Sequence, residues 1–335
     1  LQFCKRKAGN CRENVNITDR ESAELVWKLL QLLIKQNGTV VGTDIADLLL
    51  EDHEPSTAAY TKSGLSISTT EPNLAAVAAA EDDTTTVTSD RSVINQRDEV
   101  TDRFRSLLLH GQKKDALESA MRQNLWGHAL FLASKMDPKT HASILTRFAN
   151  VAMKMNDPLQ TLYQLMSGRQ PAAVTLVADE KWGDWRPHLA MILSNPTSKP
   201  EVDRKSIISL GDTLASKGCL HASHFCYLMA QLSFGTYAKK ASKIVLLGSS
   251  HSLAFELFAS SEAIQCTEVY EYAQSLGSPG YHLPTFQLFK YLYAVRLAEW
   301  GLPEEALHYC EILSRTLLPQ PAHYSPVLVG NVHDL

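Results

Sequence analysis

The stretch "NLWGHALFLASKM", residues 124–136, places a Trp-Gly pair directly before an apolar run. The run is too short to cross a membrane, because a transmembrane helix needs about 20 consecutive apolar residues. The pair recurs as Trp182-Gly183 in "KWGDWRPHLAMIL" and as Trp300-Gly301 in "EWGLPEEALHYCEIL". Each copy lies beside a pattern of helical period, so the pair predicts a recurring junction between packed helices.

A second correspondence joins "GQKKDAL", which begins at Gly111, with "GLPEEAL", which begins at Gly301. In both, the glycine follows one helical pattern and an Ala-Leu pair opens the next, at Ala116 and Ala306. Glycine permits a tight left-handed reversal, and alanine lets two helices approach closely. The unit is typical of a helical hairpin in an α-solenoid. The predicted structural seam comprises Trp126, Gly127, Trp300, Gly301, Gly111, Ala116 and Ala306.

The tryptophans divide into two groups by their surroundings. Trp126 and Trp300 lie among apolar helical residues, so we expect them to plug the seam as core side chains. Trp182 and Trp185 lie in the polar stretch "DEKWGDWRPH". For that pair both interpretations stay open, a core position or an exposed anchor for a protein partner.

Helical signals dominate the remaining chain. Residues 18–21 form a predicted capping box, and Asn37-Gly38 supplies a left-handed stop before a short helix at 44–50. Residues 53–97 are rich in Ser and Thr and poor in large apolar side chains, which predicts a disordered insertion. Strand candidates are few, and the best is "KIVLLG" at 243–248, for which a further helix is the alternative. We therefore predict an all-α chain, an α-solenoid of about fifteen helices.

Charge and composition exclude several classes of protein. The 335 residues carry a net charge of −4 without a long basic stripe, which argues against a nucleic-acid partner. The longest span free of charged residues, 218–238, contains several polar side chains, so it predicts a buried helix followed by a turn. The six cysteines form no CxxC pair and are typical of reduced thiols in a cytosolic protein.

The stretch "CLHASHFC", residues 219–226, is the strongest candidate for a metal site. On one helix Cys219 and Cys226 share a face, whereas His221 and His224 lie near the opposite face. Four ligands cannot converge from opposite sides of a helix, so we predict buried thiols and two histidines on a more polar face. No nucleotide-binding or metalloprotease motif occurs. The chain therefore predicts no metal, no cofactor and no enzyme, but a surface that binds proteins.

Four longer stretches carry a family resemblance: "KKDALESAMRQNLWGHALFLASKM", "NDPLQTLYQLMSGRQPA", "DEKWGDWRPHLAMILSN" and "GDTLASKGCLHASHFCYLMAQ". They resemble the central conserved domain of the scaffold family of endoplasmic-reticulum exit sites, which organises COPII coat assembly. The shorter vertebrate paralogue is the nearer match. The resemblance implies an ancestral coatomer element, an α-solenoid that folds back on itself. Residues 19–335 would form this single domain.

The resemblance also implies partners. Members of the family bind a WD-repeat β-propeller of the outer coat and complete its sheet with a blade donated before the first helix. They contact inner-coat subunits, self-associate as homo-oligomers and act as peripheral membrane proteins on the cytoplasmic face of exit sites. Residues 1–18 would be a lead-in, with Leu1 and Phe3 alternating as the end of such a blade. The candidate partner-binding residues are Leu1, Phe3, Trp182 and Trp185.

Two other hypotheses remain. The first is a related α-solenoid adaptor of another membrane-coat or pore assembly, which would ignore the propeller. The second is an enzyme, either a hydrolase or a zinc enzyme centred on residues 219–226; a purified chain without stoichiometric zinc would eliminate the metal version.

Overall fold

The structure is a computed structural model, and it describes residues 1–15, 17–51, 88–176, 183–319 and 321–335, with side chains from residue 99 in the third range. Within these ranges the regular elements are seventeen α-helices and short 3₁₀ turns, without a strand. The predicted all-α class is confirmed. The chain divides into two compact units: unit 1 is Leu1–Asp52 with Met153–Leu335, and unit 2 is His53–Ala152.

The helices are numbered along the chain. Unit 1 contains α1 (Gln2–Glu13), α2 (Arg20–Lys35), α3 (Gly42–Leu50), α8 (Pro158–Met166), α9 (Ala173–Leu176), α10 (Arg186–Ser194), α11 (Pro200–Ser216), α12 (Leu220–Met229), α13 (Phe255–Phe258), α14 (Ser261–Gly277), α15 (Gln287–Glu299), α16 (Pro303–Leu317) and α17 (Pro326–Asp334). Unit 2 contains α4 (Thr88–Leu109), α5 (Lys113–Arg122), α6 (Trp126–Ser134) and α7 (Pro138–Ala152).

Unit 1 folds back on itself. Its second helix α2 packs against α1, α12 and α14, and α3 packs against α10. The core of this junction includes Leu29, Leu30, Leu210 and Phe225, all fully buried. Burying such side chains is the main favourable contribution to folding, so this core holds together helices that are distant in sequence. In unit 2 each helix from α4 to α7 packs on the next.

The two predicted glycine turns have the same backbone. Gly111 and Gly301 adopt left-handed φ angles of 68° and 80°. After each glycine the next amide donates to a carbonyl five residues earlier, from Gln112 to Leu107 and from Leu302 to Leu297, both at 2.9 Å. This is the Schellman arrangement, which satisfies helix-terminal carbonyls. Ala116 and Ala306 are buried at the following helix, as predicted.

The start of α2 differs from its prediction. The capping residue is Asp19 rather than Thr18, and no side chain caps the helix. Instead Asp19 Oδ2 accepts a hydrogen bond of 3.1 Å from the Ala222 amide in the first turn of α12. A tertiary contact therefore replaces the local capping box. The stop at the other end is confirmed, with Asn37 and Gly38 at φ 51° and 81°.

Three other predictions have mixed outcomes. Residues 243–248 form neither a strand nor a helix, and the side chains from Ile244 to Leu247 are buried as an irregular segment. Residues 218–238 hold α12 followed by turns, as expected. Of the predicted insertion at 53–97, residues 53–87 lie outside the described residues, and α4 begins at Thr88.

The Trp-Gly pairs occupy opposite ends of helices. Trp126 opens α6 and is half-buried against Phe148, with ring centroids 5.6 Å apart. Gly127 is exposed within the first turn of α6, so it makes no reversal. Trp300 caps the C-terminus of α15 and is 58% exposed, so its predicted core position is wrong. The buried Tyr293 lies next to it, with the two rings nearly perpendicular.

Candidate partner-binding surfaces

The first candidate surface is the start of α1. Leu1 is 51% exposed, whereas Phe3 is half-buried with its ring 5.9 Å from that of Trp27 in an edge-to-face contact. The strand expected here is wrong, because Gln2–Glu13 is helical. Cys4, Ala8 and Cys11 recur at helical spacing and are buried. A helix places all three on one face, whereas a strand would divide them between two faces.

The α1 helix is held on two sides. Lys7 Nζ lies 2.9 Å from Glu262 Oε2 on α14, and Arg12 forms an ion pair with Glu24 on α2. These two ion pairs therefore fix the position of α1 within unit 1.

A polar cleft lies beside α1 within unit 1, with a volume of about 760 Å³. It is lined by Arg12, Thr18, Asp19, Arg20, Glu21, Glu24, Leu25, Lys28, Leu48, Leu49 and Arg186. The lining cations are already engaged: Lys28 Nζ lies 2.8 Å from Glu51 Oε2, and Arg186 Nε lies 2.6 Å from Asp184 Oδ2. Paired charges and few apolar groups suit a hydrogen-bonding peptide better than an apolar small molecule.

The second predicted surface contained Trp182 and Trp185. Trp182 lies outside the described residues. Trp185 caps the start of α10, and its ring packs edge-on against Phe225 at 5.9 Å. The indole is only partly exposed and belongs to the margin of the unit 1 core. Its contacts thus favour the core interpretation that the sequence left open.

The Cys/His stretch is buried on more sides than the sequence indicated. His224 was expected on a polar face, but it is buried and accepts a hydrogen bond of 3.0 Å at Nδ1 from the Gly248 amide. Burial lowers the pKa of His224 to about 3 and raises the pKa of the Cys226 thiol well above its usual range. The irregular segment 243–248 covers this side of α12. Among the described residues, no three His, Cys, Asp or Glu side chains are grouped to hold a metal ion.

Sequence reasoning missed a third surface, the turn after α15. Trp300, Leu302 and Leu307 are 58%, 41% and 62% exposed. Glu299, Glu304 and Glu305 are exposed around them. The signal was present in "EWGLPEEAL", where three acids flank the apolar residues, but the seam interpretation placed the tryptophan inside.

No helix in the described part of the chain is both long and apolar enough to span a bilayer.

Comparison with known proteins shows which family this chain resembles. The model of the Sec16 Sec23-binding domain matches residues 104–335. Mouse Sec16A is 54% identical over the whole chain, mouse Sec16B is 46% identical over the whole chain, and the COPII coat assembly protein SEC16 of Chaetomium globosum is 29% identical over 95% of it. The chain spans 14%, 32% and 18% of the respective relatives. By identity it is nearer to Sec16A than to Sec16B, the shorter protein that the resemblance favoured.

The fold has a counterpart among solved structures. A chain of the Sec13/Sec16 complex from S. cerevisiae matches with a TM-score of 0.60 and 18% identity, over 99% of this chain and 82% of that one. At this identity the likeness concerns the fold, and it agrees with the expected α-solenoid that folds back. Because the Sec16 domain model covers residues 104–335, more than half of the sequence, the chain belongs to the Sec16 family.

Proposed function

We propose that this chain is the helical scaffold domain with which a Sec16-family protein organises COPII coat assembly at endoplasmic-reticulum exit sites. The observation that carries the proposal is the fold likeness, over 99% of this chain, to a chain of the Sec13/Sec16 complex. The relatives are named as protein transport and coat assembly proteins rather than enzymes. The scaffold acts by binding proteins on the cytoplasmic face of the exit site, as a peripheral membrane protein.

The main partner is a WD-repeat β-propeller of the Sec13 type. It receives an extra blade from the segment that leads into α1, by strand addition to an open sheet edge. Two observations support this assignment. Leu1 is exposed at the point of entry, and Lys7 with Glu262 ties α1 to α14. A blade that continues into a fixed helix holds the propeller in a defined orientation.

Calorimetric titration tests this partner. Sec13 is titrated into this chain and into a version extended upstream of Leu1. We expect binding by the extended chain and much weaker binding by the chain that starts at Leu1, since the blade supplies most of the contact. Equal binding by both would move the main contact to the solenoid surface. If neither chain binds Sec13, the propeller partner is wrong, and a related adaptor of another coat or pore assembly becomes the better hypothesis.

A matched pair of variants tests the orienting role of α1. Lys7→Glu removes the ion pair with Glu262 and places like charges together. Lys5→Glu makes the same charge change at an exposed neighbour on α1. In the extended chain we expect Lys7→Glu to weaken Sec13 binding more than Lys5→Glu does. Equal losses would show that only the net charge of α1 matters.

A second candidate function is binding of the inner-coat subunit Sec23. The family model that matches residues 104–335 is described as a Sec23-binding domain. Titration of Sec23 into the intact chain, with and without saturating Sec13, tests it. Sedimentation over a range of concentrations tests the proposed homo-oligomer, and flotation with liposomes tests peripheral membrane association.

A further inference from the structure

The Gly301 turn, residues 299–307, presents a concentrated apolar surface. Residues 299–305 are exposed without interruption, and they include Trp300 and Leu302. Leu307 follows on the outer side of α16, next to the buried Ala306. Single exposed hydrophobic residues are normal, but a tryptophan with two leucines in nine residues is a patch. Tryptophan is also the residue most enriched among energetic anchors of protein interfaces.

The indole has a defined position despite its exposure. Its ring stands edge-on to Tyr293, with centroids 6.5 Å apart and an interplanar angle of 88°. Tyr293 is buried and its hydroxyl accepts a hydrogen bond from Gln265 Nε2 at 2.9 Å. The tryptophan therefore rests on a fixed support, so little side-chain entropy remains to be lost on binding.

The patch has an acidic rim. Glu299, Glu304 and Glu305 make no ion pair with any described residue. Glu304 and Glu305 lie in the first turn of α16, where the helix dipole favours negative charge. Glu299 has no such explanation, because it ends α15, where the dipole disfavours an anion. The helix dipole thus favours two of the three carboxylates, and Glu299 is exposed to solvent, where a cation of a partner can pair with it.

We propose that the Gly301 turn is a docking site for a basic, amphipathic peptide segment of a partner protein. The apolar residues of the segment cover Trp300, Leu302 and Leu307, while its lysines or arginines meet the three carboxylates. Charge complementarity selects this occupant, since an anionic membrane or a nucleic acid would be repelled by the same rim. The site is independent of the propeller proposal.

Fluorine NMR of the intact chain, labelled with fluorotryptophan, tests this proposal directly. The probe is a short synthetic amphipathic helix of lysine and leucine, and the Trp300 resonance is assigned with Trp300→Phe. We expect the probe to shift the Trp300 resonance and to leave that of the buried Trp27 in place. Two control peptides accompany it: one with serine for leucine, and one with glutamate for lysine.

Variants then separate the apolar and acidic contributions. Trp300→Ala should weaken probe binding about tenfold or more, as expected of an aromatic anchor. The triple change of Glu299, Glu304 and Glu305 to Gln should weaken it roughly threefold to tenfold and reduce its dependence on salt. Leu109→Ala is the matched control, because Leu109 is 80% exposed at the equivalent turn of unit 2. It should leave binding unchanged.

Leu307→Ser guards against a folding artefact, because this exposed side chain can be replaced without opening the core. It should weaken binding while the far-ultraviolet circular dichroism stays the same. The proposal is overturned if the serine peptide binds as well as the leucine peptide, if Trp300→Ala binds with wild-type affinity, or if the probe leaves the Trp300 resonance unmoved. A Trp300 shift that depends on protein concentration without any peptide would also overturn it and would assign the patch to a second copy.

Discussion

The Gly111 turn of unit 2, residues 109–117, and the Gly301 turn of unit 1 share a backbone but present opposite surfaces. Each glycine amide donates to a carbonyl three residues earlier at 3.0 Å, and Ala116 and Ala306 are buried at the same offset. The exposed side chains differ. Lys113 and Lys114 occupy the positions that correspond to Pro303 and Glu304.

The difference extends to the second residue of the Ala-Leu pair. Leu117 is 5% exposed and belongs to the core of unit 2, whereas Leu307 is 62% exposed. The fold thus determines the residue at both positions: the left-handed reversal favours glycine, and the close helix crossing favours alanine. The residues around them are free to differ, and in the Gly301 turn they form a patch fitted to a partner.

The largest expected difference in stability concerns one ion pair in each unit. Lys290 on α15 forms a buried ion pair with Glu271 on α14, and both side chains are less than one-tenth exposed. In unit 2 the turn is followed by a surface pair, Arg122 with Glu118 at 3.4 Å. Glu271→Ala should destabilise unit 1 by about 3–5 kcal/mol, because it removes the carboxylate that pairs with buried Lys290 and accepts from the Leu283 amide and Gln287 Nε2. Glu118→Ala should cost about 0.5 kcal/mol or less.

Hydrogen exchange measures the two losses separately, from the amides of α14 and α15 and from those of α5. A double variant, Glu271→Leu with Lys290→Met, is the control, because replacing both charges removes the unpaired one. It should recover part of the stability, because the Leu283 amide and Gln287 Nε2 still lose the Glu271 acceptor. If Glu271→Ala is as mild as Glu118→Ala, the buried pair stabilises unit 1 no more than the surface pair stabilises unit 2.

A second contrast concerns pH. His188 on α10 is buried, its Nδ1 lies 2.8 Å from Thr161 Oγ1, and burial lowers its pKa to about 4. The unfolded chain titrates this group near 6.5, so the folded state binds fewer protons between those values. The stability that depends on a neutral His188 is fully present above pH 6.5 and is lost as pH falls towards 4. The loss reaches about 2 kcal/mol at pH 5. Unit 2 has no fully buried histidine among its described side chains.

Urea denaturation at pH 7 and pH 5 checks this dependence. His188→Gln should flatten the pH dependence of unit 1 while lowering its stability at pH 7. Thr161→Val keeps the histidine buried and removes only the hydroxyl, so the pH dependence should persist. A slope unchanged by His188→Gln would assign the acid sensitivity to other groups, of which His224 is the first candidate.

The comparison also shows what a single sequence can predict. The Gly111 and Gly301 turns, the stop at Gly38 and the buried alanines were predictable, because each depends on local backbone chemistry. The exposure of Trp300 was not, because it depends on which side chains of α15 face the core, and the structure buries Tyr293 there instead. The helix at Leu1 and Phe3 was missed for a related reason: α14, which packs beside α1, lies about 250 residues away.

Asp19 gives the same lesson for polar groups. It lies inside the capping box that was predicted for Thr18 and Glu21, but its carboxylate accepts a hydrogen bond from α12, about 200 residues further along the chain. Composition predicted a protein-binding surface and no metal centre, and the family resemblance supplied the partner class. The three glutamates of the Gly301 turn were visible in the sequence, but only the exposure of Trp300 indicates that they surround an apolar patch.

The third prediction compares the glycines themselves. Gly111→Ala and Gly301→Ala should each cost about 1 kcal/mol, because alanine is strained at positive φ while open space surrounds both positions. Asn tolerates this conformation better and should cost less at both turns. At Gly38 an added Cβ would lie 2.8 Å from the Ala273 carbonyl oxygen. Gly38→Ala should therefore cost more than either, measured by thermal unfolding.

The smallest effect on stability is expected from a graft, in which residues 300–305 are replaced by the sequence of residues 110–115, "HGQKKD". The backbone, the glycine and Ala306 are retained, but lysine replaces Glu304 in the first turn of α16, so the free energy of unfolding should fall by about 1 kcal/mol or less. Binding of the lysine–leucine probe should be lost, because the graft removes the tryptophan and reverses the charge. The reciprocal graft of "WGLPEE" into residues 110–115 tests sufficiency. If it creates probe binding in unit 2, the six residues alone form the site; if it does not, Tyr293 and Leu307 are required to present the tryptophan.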